Sequence, residues 1–453
     1  MSLGGPAGKP AGKPAAGLAG EAAGTVRLPG FVNAHSHAFH RVLRGASETG
    51  SGNFWTWRQM MYAVAERLDP DSYRDLATCV YAEMVLAGWT AVGEFHYLHH
   101  GPGGVPYADP NEMSWAIVDA AEAAGIRLTL LDTCYLQAGV GGAAVEGVQL
   151  RFSDGDGDTW SRRVTAASES GRFGRTPAAV PARLAAAIHS VRAVPRSAMG
   201  SVVAWAAEEG APLHVHVSEQ RKENEECLAE TQMTPTDLLA SVGALSDRTT
   251  AVHATHLTAR DVTRYGLARC GICACPTTER DLGDGVGPFS DLAESGAVLC
   301  VGSDSHAVID PFEETRSLET HQRLTQERRG IMSIASLIEA GSSGGAHSLG
   351  WGEEPLDDWV TVRVDESPAL AGAGTGAGAA GAGAAGGAGS GSGAPPDEAL
   401  LARVLFGASP ADVDEVTVAG RRVVEGGEHV TLGPRRAVAE RLSQAITRLL
   451  DRP

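Results

Sequence analysis

The chain has 453 residues, of which 43% are hydrophobic and 20% charged, so it can bury a large core. Its formal net charge of -18 argues against a nucleic acid or an anionic membrane surface as a partner. The sequence contains no run of about 18 apolar residues, so no transmembrane helix is expected. Its seven cysteines are scattered and odd in number, which favours a reducing cytoplasm over a disulfide framework.

The chain opens with a segment, residues 1–24, that is rich in Gly, Ala and Pro and predicts a disordered tail. From residue 31 to 354, short apolar runs rich in β-branched residues alternate with longer amphipathic stretches such as 71–88 and 111–125. Eight of the short runs predict strands, at residues 31–35, 90–98, 126–134, 185–191, 212–218, 249–256, 271–276 and 297–303. Eight strands alternating with helices favour a parallel (β/α)8 barrel of the TIM type over a sandwich.

The C-terminal part of the chain has a different character. Residues 359–365 and the segment leading to residue 430 have strand and turn patterns, which predict a small β domain built from residues 25–30 and 355–430. Within it, residues 371–395 are almost entirely Gly, Ala and Ser and predict a flexible insertion that cannot bury a core. Residues 431–453 predict a closing helix.

Polar side chains that can bind a metal stand at the ends of several predicted strands. His35 and His37 end the first strand on one face, although a chain with 15 histidines also produces such a pair by chance. The carboxyl ends of parallel barrel strands converge on one mouth, where residues distant in sequence meet. The ends of strands 1, 5 and 8 therefore predict an N/O site suited to Zn²⁺ with an open position, formed by His35, His37, His216 and Asp304.

The order of these residues, together with His253 on the sixth strand, resembles the amidohydrolase superfamily. The resemblance implies an α/β fold, a (β/α)8 barrel with a small β-sandwich built from both chain ends, and a metal-activated water. Binuclear members carry a carbamylated lysine on strand 4 or 5, and this chain has no lysine between Lys13 and Lys222. We therefore expect one ion per subunit, Zn²⁺ or alternatively Fe²⁺.

The catalytic residues are expected from the similarity to mononuclear deaminases, in which a Glu follows the strand-5 ligand by three residues. Here that residue is Glu219, which would protonate the substrate nitrogen and pass a proton to the departing ammonia. Asp304 would take a proton from the water, and His253 would steady the attacking hydroxide. A surface position for Glu219 stays open, because an acidic helical segment follows it directly.

Several segments resemble the formimidoylglutamate deiminase family in particular, among them residues 30–45, 54–62, 93–100, 189–195, 214–220, 275–285 and 302–306. That family hydrolyses N-formimidoyl-L-glutamate to N-formyl-L-glutamate and ammonia, so a small molecule with two carboxylates is the expected partner and a homodimer the expected assembly. The resemblance implies that the substrate is bound by Arg192, His189, Tyr97 and His40. At position 40 some members have Gln, which leaves the contribution of His40 to specificity open.

Three other functions compete with this one. The nearest is a deaminase of an aromatic heterocycle such as guanine or a pterin, which would keep the metal ligands and need stacking aromatics in place of Arg192 and His189. A cyclic-amide hydrolase is disfavoured by the missing bridging lysine. A catalytically dead barrel that serves as an interaction scaffold would show gaps in the ligand set, and the sequence has none.

Other polar and aromatic residues near the predicted site have more ordinary interpretations. Trp55, Trp57 and Arg58 line the pocket, form a subunit contact or are simply buried. We expect packing around the site for His96, His99, His100 and His214, barrel-core packing for Cys273 and Cys275, and shaping of the mouth for Thr277, Thr278 and Glu279.

Overall fold

The computed structural model describes residues 24–46, 54–174, 181–352, 356–372 and 398–452, except for the side chains of Phe54 and Trp55. The predicted tail at 1–24 and the predicted insertion at 371–395 lie almost entirely outside the described residues. No helix in the described ranges combines the length and apolarity needed to cross a membrane.

The described residues contain thirteen strands. In chain order they are β1 Thr25–Pro29, β2 Phe31–Ser36, β3 Trp89–His96, β4 Arg127–Cys134, β5 Ala182–Ser190, β6 Leu213–Val217, β7 Thr249–His253, β8 Gly271–Ala274, β9 Val298–Val301, β10 Trp359–Arg363, β11 Val413–Val418, β12 Arg421–Glu425 and β13 Glu428–His429.

Strands β2 to β9 form a closed parallel barrel in sequence order, and pairing between Asn33 and Val301 joins the last strand to the first. Most of these strands are buried along their whole length, which is why they appear in the sequence as short, largely apolar segments without a regular alternation of polar residues. The predicted barrel is confirmed, and each of the eight strands coincides with a predicted one to within a few residues.

Helices surround the barrel. The described residues contain α1 Phe54–Arg67, α2 Pro70–Ala87, α3 Glu112–Ala124, α4 Gly157–Glu169, α5 Arg196–Glu208, α6 Arg221–Thr231, α7 Pro235–Ser241, α8 Ala259–Ala268, α9 Pro276–Leu282, α10 Phe289–Ser295, α11 Pro311–Gln326, α12 Ile334–Gly341, α13 Ser343–Ser348, α14 Glu398–Gly407 and α15 Arg435–Leu450. Short 3₁₀ helices lie at Ala38–Leu43, Pro102–Gly104, Gly147–Phe152 and Pro410–Asp412.

Local signals explain where helix α2 begins and ends. The Asp69 carboxylate accepts the Ser72 amide N–H at 2.8 Å, and the Ser72 hydroxyl accepts the Asp69 amide N–H, which forms a capping box before Pro70. The helix ends at Gly88, whose φ of 110° is accessible to glycine at little cost. Helix and strand are thereby joined by a single left-handed turn at the bottom of the barrel.

Both ends of the described chain contribute to a second, smaller layer, as the sequence predicted. Strands β1, β10, β11, β12 and β13 form one antiparallel sheet in that order. A buried ion pair fixes this sheet to the barrel, because Arg127 on β4 donates to both carboxylate oxygens of Asp358, at 2.8 and 3.0 Å. Asp358 also accepts the amide N–H of Ala419 at 2.7 Å, after β11.

Candidate active site

Four potential metal ligands meet at the carboxyl ends of the barrel strands. All four side chains are buried, and one ligand atom from each lies within 4.8 Å of the others: His35, His37, His216 and Asp304. The Nε2 atoms of His35 and His37 are 3.4 and 3.3 Å from Asp304 Oδ1, and the Nε2 atoms of His216 and His35 are 3.0 Å apart. The structure thus brings together the residues that the sequence proposed as ligands.

The orientation of the imidazole rings fits a cation. His37 Nδ1 lies 3.0 Å from the Phe95 carbonyl oxygen and His216 Nδ1 lies 2.9 Å from that of His189, so each Nδ1 donates and each Nε2 presents a lone pair to the cluster. Burial lowers the pKa of His35 to about 3 and that of His216 well below its ordinary value, which keeps these rings neutral. Neutral imidazoles and a carboxylate converging in a buried site are the donor set of a divalent metal ion.

Gly302 allows the segment that carries Asp304 to lie close to the strand that carries His35. A Cβ atom at position 302 would lie 2.8 Å from the Cβ and the carbonyl oxygen of His35, closer than packed atoms come. The absence of a side chain lets the segment that carries Asp304 run directly beside His35, and the Asp304 amide donates to the His35 carbonyl at 3.0 Å.

Next to the cluster lies a second group of ionisable side chains, centred on His253. His253 Nε2 is 3.8 Å from both Glu219 Oε1 and Asp304 Oδ2, and His253 Nδ1 is 3.4 Å from Glu279 Oε1. Burial alone would lower the pKa of His253, but the carboxylates of Glu219, Glu279 and Asp304 raise it to about 10. The group can therefore hold and move protons beside the ligand cluster.

The strand ends that carry these residues have strained backbone. The φ angles of Ser218, His253 and Asp304 are 53°, 68° and 42°, in the left-handed region that residues with side chains seldom adopt. Such conformations persist where the surroundings over-determine them, and they concentrate at functional sites.

Buried glutamates accept backbone N–H groups of the segments that follow three barrel strands, β2, β6 and β8. Glu94 accepts from the Ala38 amide at 2.6 Å and from the Ser36 hydroxyl at 2.7 Å, on the loop that carries His37. Glu223 accepts from the Ser218 amide at 2.9 Å, and Glu279 accepts from the Cys275 amide at 2.8 Å. Sequence reasoning missed Glu94 and Glu223, because nothing in a sequence reveals which backbone amide a distant carboxylate reaches.

Above the cluster opens a cavity at the mouth of the barrel. It is lined by His37, His40, Trp57, Arg58, Met61, Tyr62, Tyr97, Tyr135, Phe152, His189, Arg192, His216, Glu219, His253, Leu282 and Asp304. Every residue proposed from the sequence to act on or bind the substrate therefore lines one cavity, directly above the ligand cluster.

Two cationic side chains, Arg58 and Arg192, line this cavity. Arg58 donates to the Tyr62 hydroxyl at 2.7 Å, while Gln149 donates to the hydroxyls of Tyr62 and Tyr135, at 3.2 and 2.7 Å. The sequence left the role of Arg58 open and missed Tyr62, Tyr135 and Gln149. For Tyr135 a signal existed, since it directly follows β4, the third barrel strand, which ends at Cys134.

The remaining proposed substrate-binding residues are arranged around one tyrosine. His40 Nε2 is 2.9 Å from the Tyr97 hydroxyl, which fixes the orientation of the phenol. Burial lowers the pKa of His40 well below its ordinary value, and burial followed by the charge of Arg192 does the same to His189. Both imidazoles are thus neutral hydrogen-bonding groups. Trp57 packs edge-on against His40, with ring centroids 5.0 Å apart.

Other histidines singled out from the sequence make local contacts. His99 Nε2 is 2.9 Å from the Thr133 carbonyl oxygen, His100 Nε2 is 3.1 Å from Asp154 Oδ1, and His214 Nε2 is 2.9 Å from the Ser348 carbonyl oxygen. His96 stacks on Tyr73.

The residues of β8, the seventh barrel strand, and of the segment after it divide into packing and site contacts. Cys273 and Cys275 belong to a small buried apolar cluster, and Cys275 also lies within 4.8 Å of ligand atoms of His253 and Asp304. Thr278 is hydrogen-bonded to the Ser305 hydroxyl at 3.0 Å, beside the loop that carries Asp304.

A closed parallel barrel with this cluster at its mouth defines a metal-dependent hydrolase. The amidohydrolase family matches residues 26–354, and the chain belongs to that family. The chain is 37% identical over 445 residues to the formimidoylglutamate deiminase of Pseudomonas aeruginosa, a match that covers 95% of this chain and 91% of the relative. This relative confirms the resemblance predicted from the sequence.

The chain is also similar to a further relative and to a solved structure. The chain is 27% identical over 458 residues to a 5-methylthioadenosine/S-adenosylhomocysteine deaminase of Pelotomaculum thermopropionicum, covering 99% of this chain and 92% of the relative. The crystal structure of an amidohydrolase from Brucella melitensis superposes with a TM-score of 0.79 at 30% identity and covers 95% of each chain.

Proposed function

We propose that this protein hydrolyses N-formimidoyl-L-glutamate to N-formyl-L-glutamate and ammonia. The observation that carries the proposal is the set of side chains that line the cavity above the ligand cluster. Its wall holds the cationic side chains of Arg58 and Arg192, and its floor holds the carboxylates of Glu219 and Asp304. A substrate with two carboxylates and a basic amidine has the complementary charge distribution. The 37% identity to a formimidoylglutamate deiminase supports the same substrate.

The metal that we propose is one zinc ion per subunit, held by the ligand cluster of His35, His37, His216 and Asp304. Three imidazoles and a carboxylate suit Zn²⁺, and Fe²⁺ is the alternative that the same donors accept. In the part of the chain that the structure describes, no lysine is positioned to bridge a second ion, because Lys222 lies on the exposed side of α6, where its ammonium is 3.5 Å from Glu226. When bound, the ion supplies a water whose pKa is lowered towards neutrality.

The chain's own residues then move the protons. Asp304 is placed to accept a proton from the attacking water, and His253, held between Glu219 and Glu279, steadies the attacking oxygen. Glu219, protonated at the start, delivers its proton to the imine nitrogen. It then takes up the proton of the hydroxyl that the attack places on the carbon and delivers it to the departing nitrogen. The proton held by Asp304 returns to Glu219 at the end of the cycle. Water oxygen bonds to the amidine carbon, the bond from that carbon to the terminal nitrogen breaks, and ammonia leaves.

We assign the binding of the two substrate carboxylates to side chains that line the cavity. Arg192, with His189 and the Tyr97 hydroxyl beside it, is placed to bind one carboxylate, and His40 orients Tyr97 through its 2.9 Å contact. Arg58, with the hydroxyl of Tyr62, is placed to bind the other. A guanidinium is suited to this task because its planar fork of donors matches a carboxylate.

A deaminase of an aromatic ring is the second candidate, and one observation favours it. Aromatic side chains line much of the cavity, namely Trp57, Tyr62, Tyr97, Tyr135 and Phe152. They would stack on a heterocycle, as expected if the chain shared the activity named for its Pelotomaculum thermopropionicum relative. Two guanidinium groups facing the same cavity favour the dicarboxylate instead.

We further propose that the protein acts as a homodimer in the cytoplasm. The seven cysteines lie in the described part of the chain and are all free and buried, as expected for a protein made in a reducing compartment. Light scattering coupled to size-exclusion chromatography tests the dimer, and a mass of 46.8 kDa would contradict it.

The proposed reaction is tested by its products. We expect the zinc-loaded protein to release ammonia from N-formimidoyl-L-glutamate in equal amount to N-formyl-L-glutamate identified by mass spectrometry. In water enriched in ¹⁸O, the formyl oxygen should carry the label. Ammonia without the formyl product, or no ammonia, would contradict the proposal.

A further inference from the structure

Glu223 lies in the first turn of α6 with its side chain buried, although most of its helix neighbours are exposed. Its Oε1 atom accepts the amide N–H of Ser218 at 2.9 Å. Ser218 separates the proposed ligand His216 from Glu219, and its φ of 53° turns the chain sharply at that point. The direction in which Glu219 leaves the strand therefore depends on the backbone of one residue.

The carbonyl of Ser218 is held as well. The His256 amide donates to the Ser218 carbonyl oxygen at 3.0 Å, and the Asn224 side chain donates to the His256 carbonyl oxygen at 2.6 Å. Two neighbouring residues of α6, Glu223 and Asn224, thus tie together the turns that follow β6 and β7.

The energetics require such a restraint. A left-handed backbone at a residue with a side chain costs of order 1–3 kcal/mol and persists only where its surroundings enforce it. Removing the acceptor would add the cost of a buried amide without a partner, about 1–3 kcal/mol. Both costs fall on the turn at Ser218 and would be relieved if it relaxed, which would move Glu219.

We infer that Glu223 is a positioning residue, which holds Ser218 in its left-handed conformation and thereby directs the Glu219 carboxylate towards His253, 3.8 Å away. The inference rests on the proposed role of Glu219 as proton donor. It assigns to Glu223 no contact with the substrate, because Glu223 does not line the cavity.

Two substitutions of Glu223 distinguish the effect of its hydrogen bond to Ser218 from the effect of its charge. Burial raises the pKa of Glu223 to about 7, while the nearby guanidinium of Arg192 opposes this effect. A neutral carboxyl and a carboxamide both offer an oxygen at the same reach. Glu223→Gln should therefore keep the acceptor for Ser218, whereas Glu223→Leu fills the same space without one.

The first experiment compares kcat and KM for these variants. We expect Glu223→Leu to lower kcat by roughly 10- to 100-fold, since a misplacement of about 1 Å at the reacting groups costs up to ~10² in rate. KM should stay within about twofold, because Arg58 and Arg192 are untouched, and Glu223→Gln should retain at least about half of kcat. Glu225→Ala, an exposed carboxylate on the same helix, is the matched control and should behave as wild type.

A second readout does not depend on the substrate. In zinc-loaded protein, hydrogen exchange of the Ser218 amide should accelerate in Glu223→Leu and stay slow in Glu223→Gln and Glu225→Ala, with metal content unchanged in all three. If Glu223→Leu does not fold, Glu223→Asp, one methylene shorter, should show the same changes in milder form.

The outcomes separate the two proposals. Wild-type protein that releases no ammonia from N-formimidoyl-L-glutamate would overturn the proposed substrate, and the exchange experiment would still decide the role of Glu223. Unchanged kcat and unchanged Ser218 exchange in Glu223→Leu or Glu223→Asp would overturn the positioning role. An equal loss of kcat in Glu223→Gln would overturn it too, since it would mean that the charge matters.

Discussion

Single residues at the mouth of the barrel show how far a sequence determines a site. His35 and His37 were predictable because alternate residues of a strand share a face, and Asp304 because parallel strands end at one mouth. The sequence left the role of Arg58 open and did not reveal that of Glu223. Arg58 reaches the cavity from a helix after the first barrel strand, and Glu223 contacts the turn at Ser218, outside the cavity, from a helix after β6. Those contacts depend on three-dimensional packing that no local pattern encodes.

Glu219 offers the most direct test of the proposed proton transfers. In Glu219→Gln the side chain keeps its shape and loses its proton, so turnover should fall by ~10²–10⁴-fold. Metal content, measured by inductively coupled plasma mass spectrometry, should not change, because Glu219 is outside the ligand cluster. Glu225→Gln, on the exposed side of α6, serves as the control. Near-normal turnover in Glu219→Gln would exclude it as the proton donor.

Arg192 tests recognition of the substrate. Replacing it by Ala removes a charge-assisted hydrogen bond to a carboxylate, worth about 1.5–3 kcal/mol, so KM should rise by roughly 10- to 100-fold. Arg196→Ala changes an exposed arginine nearby, at the start of α5, and should leave steady-state kinetics unaltered. A KM equal to that of wild type in Arg192→Ala would mean that the carboxylates bind elsewhere.

At the scale of elements, the sequence was most informative about the barrel strands. Most of them are buried on both faces and therefore appear as short, largely apolar segments, from which the positions of all eight could be predicted to within a few residues. Contacts between elements were less predictable. Arg163 on α4, for example, donates to Asp132 on β4 at 2.8 Å and to Asp154 at 2.8 Å, and no sequence pattern indicates that these three residues meet.

This buried network gives a prediction about stability and pH. Burial alone would raise the pKa of Asp132 and Asp154, but the Arg163 guanidinium holds both below their usual range. The stabilisation from a lowered carboxyl pKa is fully present above the unfolded value of about 3.9 and is lost as the pH falls through the folded value. Arg163→Met should therefore destabilise the protein most at neutral pH, by about 3–5 kcal/mol.

Chemical denaturation at pH 7 and pH 4 measures this effect. The difference between wild type and Arg163→Met should be large at pH 7 and smaller at pH 4, where the unpaired carboxyls of the variant bind protons. Arg162→Met, at an exposed position of the same helix, should match wild type at both pH values. A difference that is independent of pH would show that lost packing, and not the ion pairs, accounts for the stability.

The molecule as a whole couples metal binding to the integrity of the barrel. The ligand cluster draws residues from β2 and the turn after it, from β6, and from the segment after β9, and so joins the two strands that close the barrel, β2 and β9, to a third strand distant from both in the barrel order. A ligand that binds only the folded state stabilises it by about 4.1 kcal/mol at a thousand times its Kd. We therefore expect chelation to abolish turnover and lower the melting temperature, and zinc to restore both. An unchanged melting temperature after complete removal of metal would contradict this coupling.

The central claim concerns the substrate, and a competition between substrates tests it most directly. The measurement is kcat/KM of the zinc-loaded protein for N-formimidoyl-L-glutamate, beside 5′-methylthioadenosine, guanine and cytosine. Because the guanidinium groups of the cavity complement the two carboxylates of N-formimidoyl-L-glutamate, we predict efficient release of ammonia from this amidine. We predict no release above background from the three ring compounds. Release of ammonia from one of the ring compounds and not from the amidine would be consistent with the proposed metal site and with the roles of Glu219 and His253. It would contradict recognition of the substrate carboxylates by Arg58 and Arg192.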